Sequence, residues 1–244
     1  MHRAERWVAG PIAWGLAALV SACAGVPRDP SLPIDDPWEQ TNRAVLRANQ
    51  VVLDPVANVV KAATPAPVLN RLRDLDDNLK EPRIFGNDIL QGRFGAAAVT
   101  LQRFVFNSIF GLGGLVDVAT PGGLPKQSGD FGQTLFVWGV TPGPFVEQPY
   151  YGPATLRDSF GGAVDTVADP VGWTLAWAWG WPAVAGGAAL QAEVHLGQWK
   201  EAENASIDFY SFLRSDYYQT RRAQLREALG LPAAVESPAT GQAR

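Results

Sequence analysis

Residues 130–153 read DFGQTLFVWGVTPGPFVEQPYYGP, and how this stretch folds decides how the rest of the chain can be built. Phe131, Leu135, Phe136, Val137, Trp138, Phe145, Tyr150 and Tyr151 stand among Gly132, Gly139, Gly143 and Gly152. Pro142, Pro144, Pro149 and Pro153 each lack an N–H and restrict the residue before them, while Gly139 and Gly143 allow sharp bends. A long helix cannot run through such a pattern. The expectation is a short helix or apolar turn, then a stiff loop, then a re-entry. That much aromatic surface beside a loop so hard to bury is either covered by the rest of the chain or sits in lipid.

Upstream, the first residues set the compartment. His2, Arg3 and Arg6 form a basic start, an apolar run follows from Trp7 to Val20, and Ser21, Ala22 and Cys23 close it. The run is too short for a membrane-spanning helix and has the layout of a secretory signal, assigned here to residues 1–22. Val20-Ser21-Ala22-Cys23 resembles a bacterial lipobox, which would make Cys23 the acylated first residue of the mature chain. The alternative is an ordinary signal peptide with a chance cysteine. Cys23 is the only cysteine of 244 residues, so no internal disulfide can form. The absence of aspartate at Ala24 resembles lipoproteins forwarded to the outer membrane, the destination expected for a lipid-anchored chain. Residues 23–35 are rich in proline and read as a tether, residues 36–231 as one helical domain, and residues 232–244 as a disordered tail.

The body is long enough to bury a real core. A net charge of −4 argues against nucleic acid as a partner, since phosphate binding wants a clustered positive field. Charged residues make up 18% of the chain and hydrophobic ones 47%, so something other than water is expected to touch part of the surface.

Periodicity then places short helices. Asp36-Pro37 with Glu39 reads as a capped helix start whose helix is broken at Asp54-Pro55, with a second helix over Val56 to Ala63. Asn42 and Asn49, seven apart, share a face with Arg43 close by, and a solvated stripe is the bland reading. Val68 to Asn78 is amphipathic and ended by Pro82, Ile84 to Leu90 is a further short helix, and Phe94 to Phe110 is the longest apolar one. Gly111 to Leu115 is a helix stop with close backbone approach, not a dinucleotide loop. Leu190 to Glu203 and Ile207 to Leu229 are two more helices, the last with Phe209, Phe212, Leu213, Leu225 and Leu229 inward and Arg214, Arg221, Arg222 and Arg226 outward. Trp173, Trp177 and Trp181 form one column at i, i+4, i+8, either a belt at a membrane boundary, with Trp138, or a buried aromatic cluster.

Little of this supports catalysis. His195 is the single histidine after the leader, no metal set of His and Cys exists, and neither a nucleophile elbow nor a phosphate-binding loop is present. Asp158 and Asp165 could form an acid/base pair on one face, or serve as caps and ion pairs around Arg157. No cofactor and no metal site are expected.

With DPWEQTNR, LQGRFGAAAVTLQRFVFNSIFGLGGLVDVAT, the 130–153 stretch and LRDSFGG in order, the chain resembles the MlaA (VacJ) family of outer-membrane lipoproteins. The resemblance implies a mainly α fold, a single ring-shaped bundle of short helices broken by Pro/Gly loops. It implies no enzymatic activity, and passage of mislocalised phospholipid from the outer leaflet through an amphipathic channel to a soluble periplasmic carrier of the MlaC type, beside a trimeric porin. It makes Asn42, Arg43, Asn49, Gly139, Gly143 and Pro144 candidates for lining or gating that channel. A structural lipoprotein that only scaffolds porins is the alternative.

Overall fold

The computed structural model describes residues 29–180, 187 and 200–231, and within them the chain is mainly helical. Helices α1 (Glu39–Ala63), α2 (Ala66–Leu90) and α3 (Phe94–Phe110) come first, followed by the short α4 (Phe131–Val137). An antiparallel hairpin, β1 (Phe145–Gln148) and β2 (Gly152–Thr155), leads into α5 (Leu156–Val167) and α6 (Pro170–Trp179). Helices α7 (Lys200–Ala205) and α8 (Phe209–Ala228) complete the described chain. The signal segment, Cys23, Trp181, His195 and residues 232–244 lie outside it.

The 130–153 stretch folds as a short helix, a loop and a re-entry, and the re-entry is a strand. Phe145 pairs with Thr155 and Gln148 with Gly152, and the turn between them places Tyr150 at φ 72 and Gly152 at φ 82. Phe145 is fully buried among Leu46, Tyr210 and Leu213, with the rings of Tyr210, Tyr217 and Tyr218 edge-on about it. Tyr218 donates its hydroxyl to the Ile34 carbonyl and Phe145 its N–H to the Asp35 carbonyl, so residues 34–36 are fastened to the body.

Two expected breaks are absent. Pro55 lies inside α1 and Pro82 inside α2, each a continuous helix of 25 residues. A proline removes one helical hydrogen bond and crowds the preceding turn. Here buried residues on both sides hold the axis: Leu53 and Ala57 around Pro55, and Asn78, Glu81, Asn87 and Asp88 around Pro82. The expected cap at Asp36 is also absent. Trp38 is the residue before α1 and makes no side-chain cap, while Asp36 instead accepts from Asn42, the Tyr210 hydroxyl and Arg214.

The largest departure concerns which way the helices face. On α3 the buried residues are Ala97, Thr100, Arg103 and Asn107, spaced at i+3 and i+4, while Phe94, Leu101, Val105, Phe106, Ile109 and Phe110 are exposed. Val51, Val52 and Val59 on α1 stand out in the same way, as do Phe160 and Val167 on α5. Among the described residues, buried polar and charged side chains outnumber buried apolar ones. In water this would be the wrong way round, because exposed apolar surface is unfavourable by about 25 cal/mol per Å² and buried polar groups need partners. A wide apolar exterior marks contact with lipid or with another protein. No helix among the described residues is long and apolar enough to cross a membrane.

Close backbone approach ties the pieces together. A β-carbon on Gly161 of α5 would stand 2.3 Å from the Gly132 nitrogen of α4, and one on Gly114, at φ +100, would strike the Asn78 side chain at 2.5 Å. The glycine segment after α3 is therefore the helix stop with close contact that its sequence implies.

Candidate functional site

The polar interior opens into a cavity of about 450 Å³ between the hairpin, α2, the start of α4, α5 and α8, walled by Arg83, Asp130, Asp158, Asp165, Asp216 and Arg221. Each charge is placed by a local structural need. Asp130 caps α4, its carboxylate accepting from Gln133 N at 2.8 Å. Asp158 lies in the first turn of α5, which Thr155 caps by accepting from Asp158 N at 3.2 Å. Such caps satisfy helix N–H groups that have no partner within the helix.

Between these two acids stands Arg221. It meets Asp130 at 2.6 Å and 2.8 Å, and it meets Asp158 at 2.7 Å and 2.9 Å. Arg157 and the Tyr217 hydroxyl donate to the same Asp158 carboxylate, at 2.9 Å and 2.6 Å. Burial alone would raise the Asp158 carboxyl, but the charges of Arg221 and Arg157 outweigh it and hold it down to about 2. Burial likewise raises the Tyr217 hydroxyl, and the neighbouring Asp158 charge adds to it. Arg221, expected to face outward, is the buried centre of this cluster.

Asp165 lies two turns along α5 and accepts from Asn87 Nδ2 and Phe131 N, both at 2.9 Å. Burial pushes its carboxyl above the ordinary value. Asp158 and Asp165 thus share a wall, as their spacing implies, but Asp158 is locked in ion pairs and has no proton to exchange at neutral pH. The pair reads as structural charge.

Asn42 and Asn49 lie on one face of α1, and the face is buried. Asn42 donates to the Phe145 carbonyl at 3.2 Å and accepts from Glu147 N at 3.0 Å. Asn49 donates to the Gln148 carbonyl at 2.9 Å and accepts from Tyr150 N at 2.8 Å. The two asparagines, two helical turns apart, clamp β1 and its turn onto α1, so the stripe is not solvated. Arg43 turns the other way, making a bidentate pair with Asp208 at 2.8 Å and 2.7 Å and lying over the Tyr210 ring.

Gly139 and Gly143 take φ values of 94 and 67, which supports their part in the bend. Pro144 and Pro142 offer their carbonyls to the N–H groups of Leu156 and Arg157, both at 3.1 Å. The loop is therefore pinned to the start of α5. Trp138 donates its indole N–H to the Leu90 carbonyl, while Trp173 and Trp177 project outward, Trp177 being 90% exposed. Among the described residues, Trp173 and Trp177 are not part of a buried cluster.

Sequence reasoning missed Glu147. It is buried on β1, its Oε2 has no partner, and its one carboxylate contact is Asn49 at 3.4 Å. Burial raises its carboxyl to about 8, with Asn49 opposing only weakly. The folded state therefore keeps a proton that the unfolded chain loses above the ordinary value of 4.5, so stability falls as pH rises through that window. Glu147→Gln is expected to raise the Tm at pH 8 and leave it nearly unchanged at pH 5, measured by thermal unfolding of the purified protein.

The family model described as MlaA lipoprotein matches residues 34–224. The intermembrane phospholipid transport system lipoproteins MlaA of Shigella flexneri and of Escherichia coli are each 34% identical over 195 residues, covering 75% of this chain and 76% of theirs. The MlaA of Haemophilus influenzae is 30% identical over 203 residues, covering 79% of this chain and 80% of its own. A solved structure described as the structural basis for maintenance of bacterial outer membrane lipid asymmetry superposes with a TM-score of 0.64 at 29% identity. That match covers 78% of this chain and 99% of the other. A family match running through the hairpin, the charged cavity and α8 leaves one conclusion: the chain belongs to the MlaA lipoprotein family.

Proposed function

We propose that this chain is a lipoprotein of the outer membrane that passes mislocalised phospholipid out of the outer leaflet, through a polar opening in its own body, towards a soluble periplasmic carrier of the MlaC type. In doing so it maintains lipid asymmetry. Cys23 is the acylated anchor, the exposed faces of α1, α3 and α5 lie among acyl chains or against a trimeric porin, and Trp138, Trp173, Trp177 and Trp181 mark the hydrocarbon boundary.

The observation that carries this reading is the inverted body, apolar outside and charged within around an open cavity. A phospholipid has some 30 methylene groups, and at about 0.8 kcal/mol each, wetting both tails would cost on the order of 20 kcal/mol. A charged headgroup in bare hydrocarbon costs several kcal/mol. A protein that consumes no energy can leave the tails among apolar surfaces and offer the headgroup a polar path. In this reading Asn42 and Asn49 hold the hairpin that borders the path, and Arg43 ties α1 to the start of α8 through Asp208. Gly139, Gly143 and Pro144 let the loop swing once its two bonds to α5 part.

Deleting the gene is expected to produce excess phospholipid in the outer leaflet together with sensitivity to detergent, both reversed by the wild-type copy. Unchanged surface phospholipid and unchanged sensitivity would refute the proposal. Normal asymmetry with disturbed porin assembly would favour the scaffold instead.

A further inference from the structure

Four aspartates and two arginines line the 450 Å³ cavity, and they divide into two groups. Asp130 and Asp158 are both bonded to Arg221, with Arg157 completing the cluster on Asp158, so two positive charges answer two negative ones. Arg83, Asp165 and Asp216 stand outside that cluster. The Arg83 Nε is buried with no acceptor, and its guanidinium makes no hydrogen bond or ion pair among the described residues. Asp216 has no bonded partner among them either. Asp165 holds one neutral donor on each oxygen and feels the Arg83 charge without pairing with it.

The cavity thus presents one guanidinium without a bonded acceptor and two carboxylates without a cationic partner among the described residues. We propose that it is a recognition site for the zwitterionic headgroup of a phospholipid, with Arg83 taking the phosphate and Asp165 and Asp216 taking the ammonium. The inference rests on the reading that phospholipid enters this cavity, and adds which headgroup it selects.

Charge decides the selectivity. A headgroup bearing only a phosphate satisfies Arg83 but brings a net negative charge towards two carboxylates, a repulsion that a partly buried site screens poorly. A headgroup that also carries an ammonium answers both signs. Tyr151 and Tyr217 line the same wall, and aromatic rings attract cations. The volume suits a headgroup and lies in the range of ligand pockets. An ammonium beside Asp165 would also favour the charged form that burial now opposes.

The test uses the full acylated chain, reconstituted in nanodiscs holding equal amounts of phosphatidylethanolamine and phosphatidylglycerol. Lipid retained by the released protein is counted by headgroup with native mass spectrometry. Phosphatidylethanolamine should be retained about five- to tenfold over phosphatidylglycerol, the scale of one charge-assisted contact. Asp216→Asn should bring the ratio towards one and Asp216→Lys should turn it towards phosphatidylglycerol, whereas Arg83→Gln should lower retention of both lipids, which share the phosphate, without bringing the ratio towards one. Neither Arg83 nor Asp216 has a bonded partner to lose, and the wild-type ratio stands as a test even if a variant fails to fold. Equal retention of both lipids by the wild type overturns the headgroup inference while leaving lipid passage intact. Retention of neither lipid contradicts both.

Discussion

Arg103→Leu is expected to cost roughly 3–5 kcal/mol of stability, the range for breaking a buried ion pair by removing one partner. Arg103 is 1% exposed and holds three parts of the molecule at once. Its guanidinium meets Glu81 of α2 at 2.7 Å, Asp117 at 3.2 Å, the Thr120 hydroxyl at 3.1 Å and the Leu124 carbonyl at 2.6 Å. Burial already pushes the Glu81 carboxyl above its ordinary value, against the lowering pull of Arg103. Without that pull the folded state would hold its proton to still higher pH than the unfolded chain does. The deficit in Arg103→Leu should therefore be larger at pH 8 than at pH 5, in denaturant unfolding of the detergent-solubilised protein. Replacing Glu81 as well, as Arg103→Leu with Glu81→Leu, should recover part of the loss by removing the stranded carboxyl.

Asp158→Ala should be comparably severe, again roughly 3–5 kcal/mol, because it leaves Arg157 with no carboxylate and halves the support of Arg221. Both arginines are buried. The Tyr217 hydroxyl also loses its acceptor, and a buried donor without a partner costs about 1–3 kcal/mol. The same carboxylate sets an acid limit for the wild type. Its folded pKa of about 2 lies below the ordinary 3.8, so its contribution is complete above about pH 4 and lost as pH falls towards 2. A midpoint of acid unfolding that Asp158→Asn does not move would contradict this placement of charge.

Much of the fold was legible in the sequence, for stated reasons. The proline and glycine spacing of residues 130–153 allowed only a short helix and a re-entry, and residues 111–115 could only be a close-packed stop. Periodicity also found the bounds of α3. What it could not give was the sign of that helix's amphipathicity, because the rule that apolar faces turn inward assumes water outside. Thr100, Arg103 and Asn107 nonetheless follow the i+3, i+4 spacing of a buried stripe. The same assumption turned Arg221 outward. Pro55 and Pro82 were misread because local propensity yields to packing on both sides of the proline. The partners of Asn42 and Asn49 lie about a hundred residues away in β1 and its turn, a distance that helical spacing cannot bridge.

The claim that matters most is that this body keeps its wet side within and its greasy side without. Cys23 is the only native thiol and would be consumed by acylation, so single engineered cysteines can be read without background. Thr220 lines the cavity, and Ile109, 66% exposed, stands on the outer face of α3. In intact outer membranes, Thr220→Cys should react with a charged, membrane-impermeant thiol reagent admitted to the periplasm. Ile109→Cys should stay protected until detergent dissolves the membrane. Equal labelling of both positions before detergent is added, or labelling of Ile109→Cys alone, would contradict the inverted body.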